Sequence, residues 1–243
     1  MEPKKGRREM KKFELTTESI TNEAGKKLFR IKALIDFGDV KAGELGGYVE
    51  KEGNVSQDDN AWVSGDAEVF GNAKVFGNAL VFGDAKVSGR ALVFGNARVS
   101  GDALISDNAW VSDNAWVSDN ALVFGRALVF GDAKVSGRAL VFGNARVSGD
   151  ALISGNAWVS DNAWVSDNAD YALVQGFGIK FRCTTFYRGK NKKIMVNCGC
   201  FHGDLEEFRK QVKETRSGKI AKEYLMIADL MEYHFVSEDS SDE

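Results

Sequence analysis

Cys198, Cys200 and His202 follow one another at every second residue, and Cys183 stands fifteen residues before the first of them. On an extended strand the first three project from one face, and thiolates and an imidazole are zinc donors. Paired cysteines at structural zinc sites usually have two to four residues between them, and here there is one. The four side chains are therefore expected at a hairpin end, with no metal and no cofactor. A second set of candidates is basic. Lys180, Arg182, Arg188, Lys190, Lys192 and Lys193 cluster in the same segment and could meet phosphates. The net charge of −3 argues against a generic polyanion binder, so a nucleic-acid binder or mimic is a lesser alternative. Serines are plentiful, at Ser64, Ser88, Ser100, Ser112 and onward, yet no base lies near them in sequence to activate a hydroxyl. Hydroxyl ladders are the expected use of these serines. No glycine-rich phosphate loop follows a strand and opens a helix.

The elements that would carry such residues are dictated by a repeat. From Ala61 to Asn168 the chain reads, with variations, Ala-x-Val-[Ser/Phe]-[Gly/Asp]-[Asp/Asn]. Ala opens each of eighteen hexapeptides, and Val or Ile stands third in each. Ala61 and Val63 are two apart, so on a strand both face one side, while Trp62 and Ser64 face the other. The Gly-Asp or Asp-Asn pair then turns the chain, because these residues tolerate left-handed backbone. Three short strands and three corners close an eighteen-residue triangular coil. Eighteen hexapeptides make six coils, stacked into roughly 29 Å of prism at the strand spacing of a sheet.

The pattern Val-x-Gly-Asn-Ala-x resembles the hexapeptide repeat of left-handed parallel β-helices. The flanks "KALIDFGDVKAGELGGYVE" (32–50) and "CGCFHGDLEEFRKQVKET" (198–215) resemble segments of uncharacterised, sometimes "polymer-forming", repeat proteins of bacteria and their prophages. The resemblance implies a mainly β fold: a left-handed parallel β-helix of about six to seven coils, an N-terminal β cap and a small C-terminal α+β unit. The enzymes of this fold are hexapeptide acyltransferases, many of which use a histidine in or near the coils as general base. Both histidines here, His202 and His234, lie outside the repeat, and no long loop between coils could build a pocket. A base at His202 is conceivable only if the C-terminal unit folds back on a coil. An acyltransferase is therefore kept as an alternative, and no enzymatic activity is expected.

The chain divides accordingly. Residues 1–12 form a basic solvated tail, 13–44 the β cap, 45–169 the β-helix with an irregular first coil, 170–235 the α+β unit and 236–243 an acidic tail. "YALVQ", "IKFRCTTFY" and "KKIMVNC" read as a meander. Asp204 and Glu207 can cap a helix over 205–215 with Leu205, Phe208 and Val212 on one face. A second helical spacing joins Ile220, Tyr224, Ile227 and Met231. No run reaches eighteen apolar residues and no apolar leader opens the chain, so a cytoplasmic protein with no membrane contact is expected.

Residues 79–120 and 127–168 differ at one position, Asp107 against Gly155. The offset is 48 residues, eight hexapeptides, so the second copy is turned by one face of the prism relative to the first. A duplication that ignores the faces fits a tolerant rod better than a shaped pocket. Yet the outward positions are apolar. One face carries Leu104, Leu122, Leu140 and Trp158 with Phe124 and Phe142. Another carries Leu92, Trp110, Leu128 and Trp164 with Phe130. Contiguous Leu, Phe and Trp on an outer wall exceed what a soluble monomer usually displays. A non-catalytic scaffold or protein-binding module is expected, burying these columns in a homodimer or homotrimer or against a partner protein. The resemblance adds that such a protein could be phage-encoded and block a host protein, a defence component included.

Overall fold

The computed structural model describes residues 11–178 and 182–235. Its body is a parallel β-solenoid of about seven turns. An N-terminal hairpin and strand precede it: β1 (Phe13–Thr21), β2 (Lys27–Ala33) and β3 (Leu45–Val49). Eighteen two-residue strands follow, β4 to β21, from Trp62–Val63 to Trp164–Val165. Every third strand pairs in parallel. One wall stacks Trp62, Leu80, Arg98, Trp116, Lys134 and Leu152. The second stacks Glu68, Lys86, Leu104, Leu122, Leu140 and Trp158, and β1–β2–β3 extend this sheet to nine strands. The third stacks Lys74, Leu92, Trp110, Leu128, Arg146 and Trp164. The columns read from an eighteen-residue coil are thus real neighbours.

The interior is the repeat itself. The Ala and Val or Ile of every hexapeptide are at most 2% exposed, in one continuous core. Each buried Val contributes roughly 1.5–3 kcal/mol, and each coil holds three such residues. The corners explain the fifth position. Glycines there have φ near +70°, and Asp107, Asp113 and Asp119 adopt φ of 57–58°. An aspartate in this strained region gains a compensating bond. Its carboxylate accepts from the amide N–H of the corner one coil on: Asp107 from Gly125 (3.1 Å), Asp113 from Gly131 (3.2 Å) and Asp119 from Gly137 (2.9 Å).

The side-chain ladder running from coil to coil is of asparagine, where serine hydroxyls were expected. Asn60, Asn78, Asn96 and Asn114 each donate to the next, and the run ends on the Asp132 carboxylate, with spacings of 2.9–3.1 Å. The sixth position points out at the corner, so its amides stack along the edge. Several of the serines bond elsewhere: Ser100 accepts from Trp116 Nε1 at 3.1 Å.

Both ends of the solenoid expose backbone groups that have no further coil to pair with, and each end is covered. At the first coil the buried Lys12 ammonium reaches the carbonyls of Asp58, Asp59 and Ala61 at 3.2, 3.3 and 2.9 Å. Asn54 donates to the carbonyls of Gly71 and Ala73. At the far end sits a four-stranded antiparallel sheet, β22 (Tyr171–Phe177), β23 (Arg182–Arg188), β24 (Ile194–Cys198) and β25 (Phe201–Asp204). Two helices follow, α1 (Leu205–Thr215) and α2 (Gly218–Phe235). The capping box of Asp204 and Glu207 opens α1 as the sequence predicts. The strand Phe201–Asp204 was not expected; its four residues are too few to show an alternation. No helix among the described residues is long and apolar enough to cross a membrane.

Deleting one whole coil, residues 103–120, is expected to leave a folded protein with unchanged β-type circular dichroism, because each coil touches mainly its two neighbours. Deleting 103–114 keeps Ala and Val inward but turns every downstream wall by two faces. It should fold too, with the outer columns broken. Loss of β-structure in the eighteen-residue deletion would show that coils are not interchangeable.

Candidate functional site

Chemistry-bearing residues converge where the last coil meets the C-terminal sheet. β23 joins the two bodies, since its alternate residues enter different cores: Tyr187 the solenoid, Phe186 the cluster under α1 and α2. The last coil's backbone is met by two side chains and a main-chain amide in place of a coil. Trp158 N–H donates to Thr185 Oγ1 at 3.0 Å, and its carbonyl accepts from Asn197 Nδ2 at 2.9 Å. Lys190 N–H donates to the Asn162 carbonyl at 3.0 Å. Beneath them lies a buried polar cluster. Asn197 Nδ2 also faces Ser160 Oγ (3.2 Å) and Tyr187 OH (3.3 Å), and these two oxygens are 3.2 Å apart. Burial pushes the Tyr187 phenol above its usual range.

His202 stands at the mouth of this cluster, beside a cleft of about 750 Å³ also lined by Asp161, Tyr187, Lys190 and Met195. The C-terminal unit has therefore folded back on a coil, the condition for a base at His202. Its geometry argues for another role. Nδ1 lies 2.5 Å from Asn197 Oδ1, and Nε2 lies 2.8 Å from Asp161 Oδ2. The donations of Asn197 Nδ2 fix which end of that amide faces the ring. Both ring nitrogens thus have a side-chain oxygen of this chain within hydrogen-bond distance, and neither points into open space. Ser160 Oγ bonds Asp161 Oδ2 at 3.0 Å, not the imidazole, so the trio is not a nucleophile–base relay. Asp161 has φ of 55° and holds the same fifth position of its hexapeptide as Asp107, Asp113 and Asp119. Those carboxylates accept the N–H of a following coil. Asp161 has no following coil, and His202 supplies the donor instead. The site reads as an end cap.

The zinc arrangement on one strand face is corrected by a turn. Gly199 and Cys200 reverse the chain, so Cys198 pairs with Phe201 and Asn197 with His202. Cys198 Sγ accepts from Thr184 Oγ1 at 3.1 Å on the helix side of the sheet. Cys183 lines a hollow on the other side with Thr185 and Asn197, and burial raises its thiol. Cys200 is exposed in the turn. Among the described residues no group of three His, Cys, Asp or Glu could hold a metal ion.

The basic set is divided as well. Arg188 Nε pairs with Asp170 Oδ1 at 2.8 Å, and its guanidinium donates to the Phe235 carbonyl and stacks on that ring at 5.6 Å. Lys193 pairs with Asp204 at 2.8 Å. Lys190 borders the His202 cleft, and Lys192 sits in the turn with φ of 62°. Lys180 and the Arg182 side chain lie outside the described residues. Two of the six bases thus hold the unit together.

The walls keep their apolar character. Leu104, Leu122 and Leu140 are half-buried on the second wall, where Phe124 and Phe142 stack at 5.0 Å with Trp158 exposed beyond them. On the third wall Leu92, Leu128 and Phe130 are half-buried, while Trp110 and Trp164 are 46% and 43% exposed. Two features escaped the sequence. The Asp161–His202 contact joins residues 41 apart and has no periodic signal. The outward stripe Met226, Leu230 and Tyr233 on α2 has a helical spacing of four and three, interleaved with the inward set Tyr224, Ile227 and Met231.

Residues 97–113 and 145–161 match the family model described as the YdcK beta solenoid repeat. The two stretches are 48 residues apart, the offset of the internal duplication. No curated protein matches the chain.

Proposed function

We propose that this β-solenoid repeat protein is a non-catalytic scaffold that associates with itself through its outer walls. The observation that carries the reading is the adjacency, in one sheet, of Leu104, Leu122, Leu140 and Trp158, flanked by the Phe124–Phe142 stack. Removing such a wall from water is worth roughly 25 cal/mol per Å² of apolar surface. The occupied nitrogens of His202 support the absence of catalysis. The finer reading, a phage-encoded chain that blocks a host protein, rests on the likeness of residues 32–50 and 198–215 to prophage repeat proteins.

Light scattering tests the proposal. The mass should rise above 26.6 kDa with concentration. The Leu122→Lys/Leu140→Lys variant should associate at least tenfold more weakly while keeping its circular dichroism. A strict monomer at every micromolar concentration would overturn self-association. Acyl-CoA turnover that disappears in His202→Ala would overturn the non-catalytic assignment and restore the acyltransferase alternative.

A further inference from the structure

Where the irregular first coil meets the third wall, a hollow of about 890 Å³ opens. The backbone register explains it. Phe76 N–H donates to the Val93 carbonyl at 3.1 Å and Ser56 N–H to the Val75 carbonyl at 2.9 Å, so Ser56 holds the place of Phe76 and Phe94 one coil earlier. Beneath Lys74 stands the buried Asn54, whose side chain donates to the Ala73 carbonyl at 2.8 Å, where a coil would use its backbone. No large side chain therefore projects beneath Lys74 and Phe76. The floor is apolar: Val55 and Val75 are buried, Phe76 and Leu92 half-buried. One face of the Phe76 ring lies on Phe94, with centroids 4.9 Å apart and planes parallel. The rim is cationic. Lys74 and Arg90 are exposed, and their side chains have no hydrogen-bond or ion-pair partner among the described residues. Leu92 pairs with Lys74 across the coils and Arg90 precedes Leu92 by two residues, so the two cations start roughly 8 Å apart. Glu52, an acid of the lining, is already spent: it accepts from Lys11 and Gln57 at 2.8 Å each.

We infer that this hollow binds a planar aromatic anion, a flat ring bearing a carboxylate or a phosphate. The ring continues the Phe94–Phe76 stack over Ser56. The oxyanion meets Lys74 and Arg90, whose guanidinium fork suits either group. Both halves of the site select this class. A neutral ring gains nothing from the two cations, and an anion without a ring leaves the Phe76 face and the apolar floor bare. The internal duplication supplies a comparison. At an offset of 48 residues Arg138 repeats Arg90, and the Phe124–Phe142 stack repeats Phe76–Phe94. There Leu122 stands in place of Lys74, and a complete coil lies beneath, with Leu104 under Leu122. That second place lacks the paired cation and the open floor. The inference stands apart from the self-association reading, which the mass alone decides.

Titrating the full chain with 2-naphthoate, and with 2-naphthylmethanol as the same ring without charge, tests the inference by calorimetry and by amide chemical shifts. At the efficiency of an ordinary small ligand, naphthoate should bind with a Kd of about 1 mM. The alcohol should bind roughly fivefold more weakly, the worth of two exposed charge contacts. Amide shifts should move at Ser56, Val75 and Phe76 and stay still at Phe124 and Leu140. Lys74→Gln/Arg90→Gln alters two exposed side chains, so the fold should survive, as circular dichroism would verify. This variant should bind naphthoate as weakly as the alcohol. Ser56→Phe places a ring of the chain itself in the stack and should weaken both ligands several-fold. Equal affinity for naphthoate and its alcohol overturns the inference. So does the absence of shifts at Ser56 and Phe76 by about 10 mM naphthoate, roughly ten times the expected Kd. Naphthoate binding unchanged in Lys74→Gln/Arg90→Gln, or in a folded Ser56→Phe, overturns it as well.

Discussion

Lys12→Met is expected to lower the free energy of unfolding by about 3 kcal/mol, although the change is apolar and close in volume. Lys12 is 2% exposed and lies over the Phe37 ring at 4.8 Å. Its amine serves three carbonyls that no coil can reach. Methionine would fill the space and leave those acceptors bare, at roughly 1–3 kcal/mol for each group that water cannot recover. Burial lowers the Lys12 ammonium to about 8, against the pull of the Asp59 and Asp58 carboxylates. The sign of the pH effect follows. With a folded value of about 8 against 10.5 in the unfolded chain, the unfolded state binds more protons between those limits, so stability rises with pH across that window. The neutral amine keeps two N–H donors for the three carbonyls, while the desolvation penalty falls away. Urea titrations of both proteins at pH 7 and pH 9.5 should show the wild type gaining relative to the variant. Equal stability at pH 7 would show that the first coil needs no cap.

Arg188→Ala is expected to cost about 3 kcal/mol and to loosen the C-terminal unit while the solenoid persists. Removing the guanidinium leaves the Asp170 carboxylate, 9% exposed, with only the Ser166 N–H (3.0 Å) and Oγ (2.6 Å). It also strips the Phe235 carbonyl and ring of their partner at the end of α2. Hydrogen exchange should accelerate over 182–235 and stay slow in the coils. The same variant separates two roles for the hairpin bases. Unchanged exchange together with lost binding to single-stranded DNA would place Arg188 in a nucleic-acid surface and not in the fold.

The solenoid was legible because its cause is local and repeated. Ala61 and Val63 face one way on any strand, and the pattern restates this at each hexapeptide through Val165. The three outer columns followed from a coil of eighteen, and so did the apolar residues they carry. The α1 cap was legible for the same reason, since Asp204 and Glu207 are three apart.

What the sequence could not display depends on which residue lies opposite another after folding. Lys12 looks like one more base in a charged leader until the first coil's carbonyls surround it. Arg188 and Lys193 look like a phosphate patch until Asp170 and Asp204 arrive beside them. The cysteine–histidine spacing looks like a ligand set until a turn at Gly199 and Cys200 sets them on different sides. His202 is the clearest case. Its partner Asp161 repeats a corner found earlier in the chain, but only the end of the stack makes that carboxylate need a donor from another unit. Periodicity is written along the chain and fixes the rod, its walls and its corners. The ends of a rod have no period, so tertiary structure alone decides what covers them.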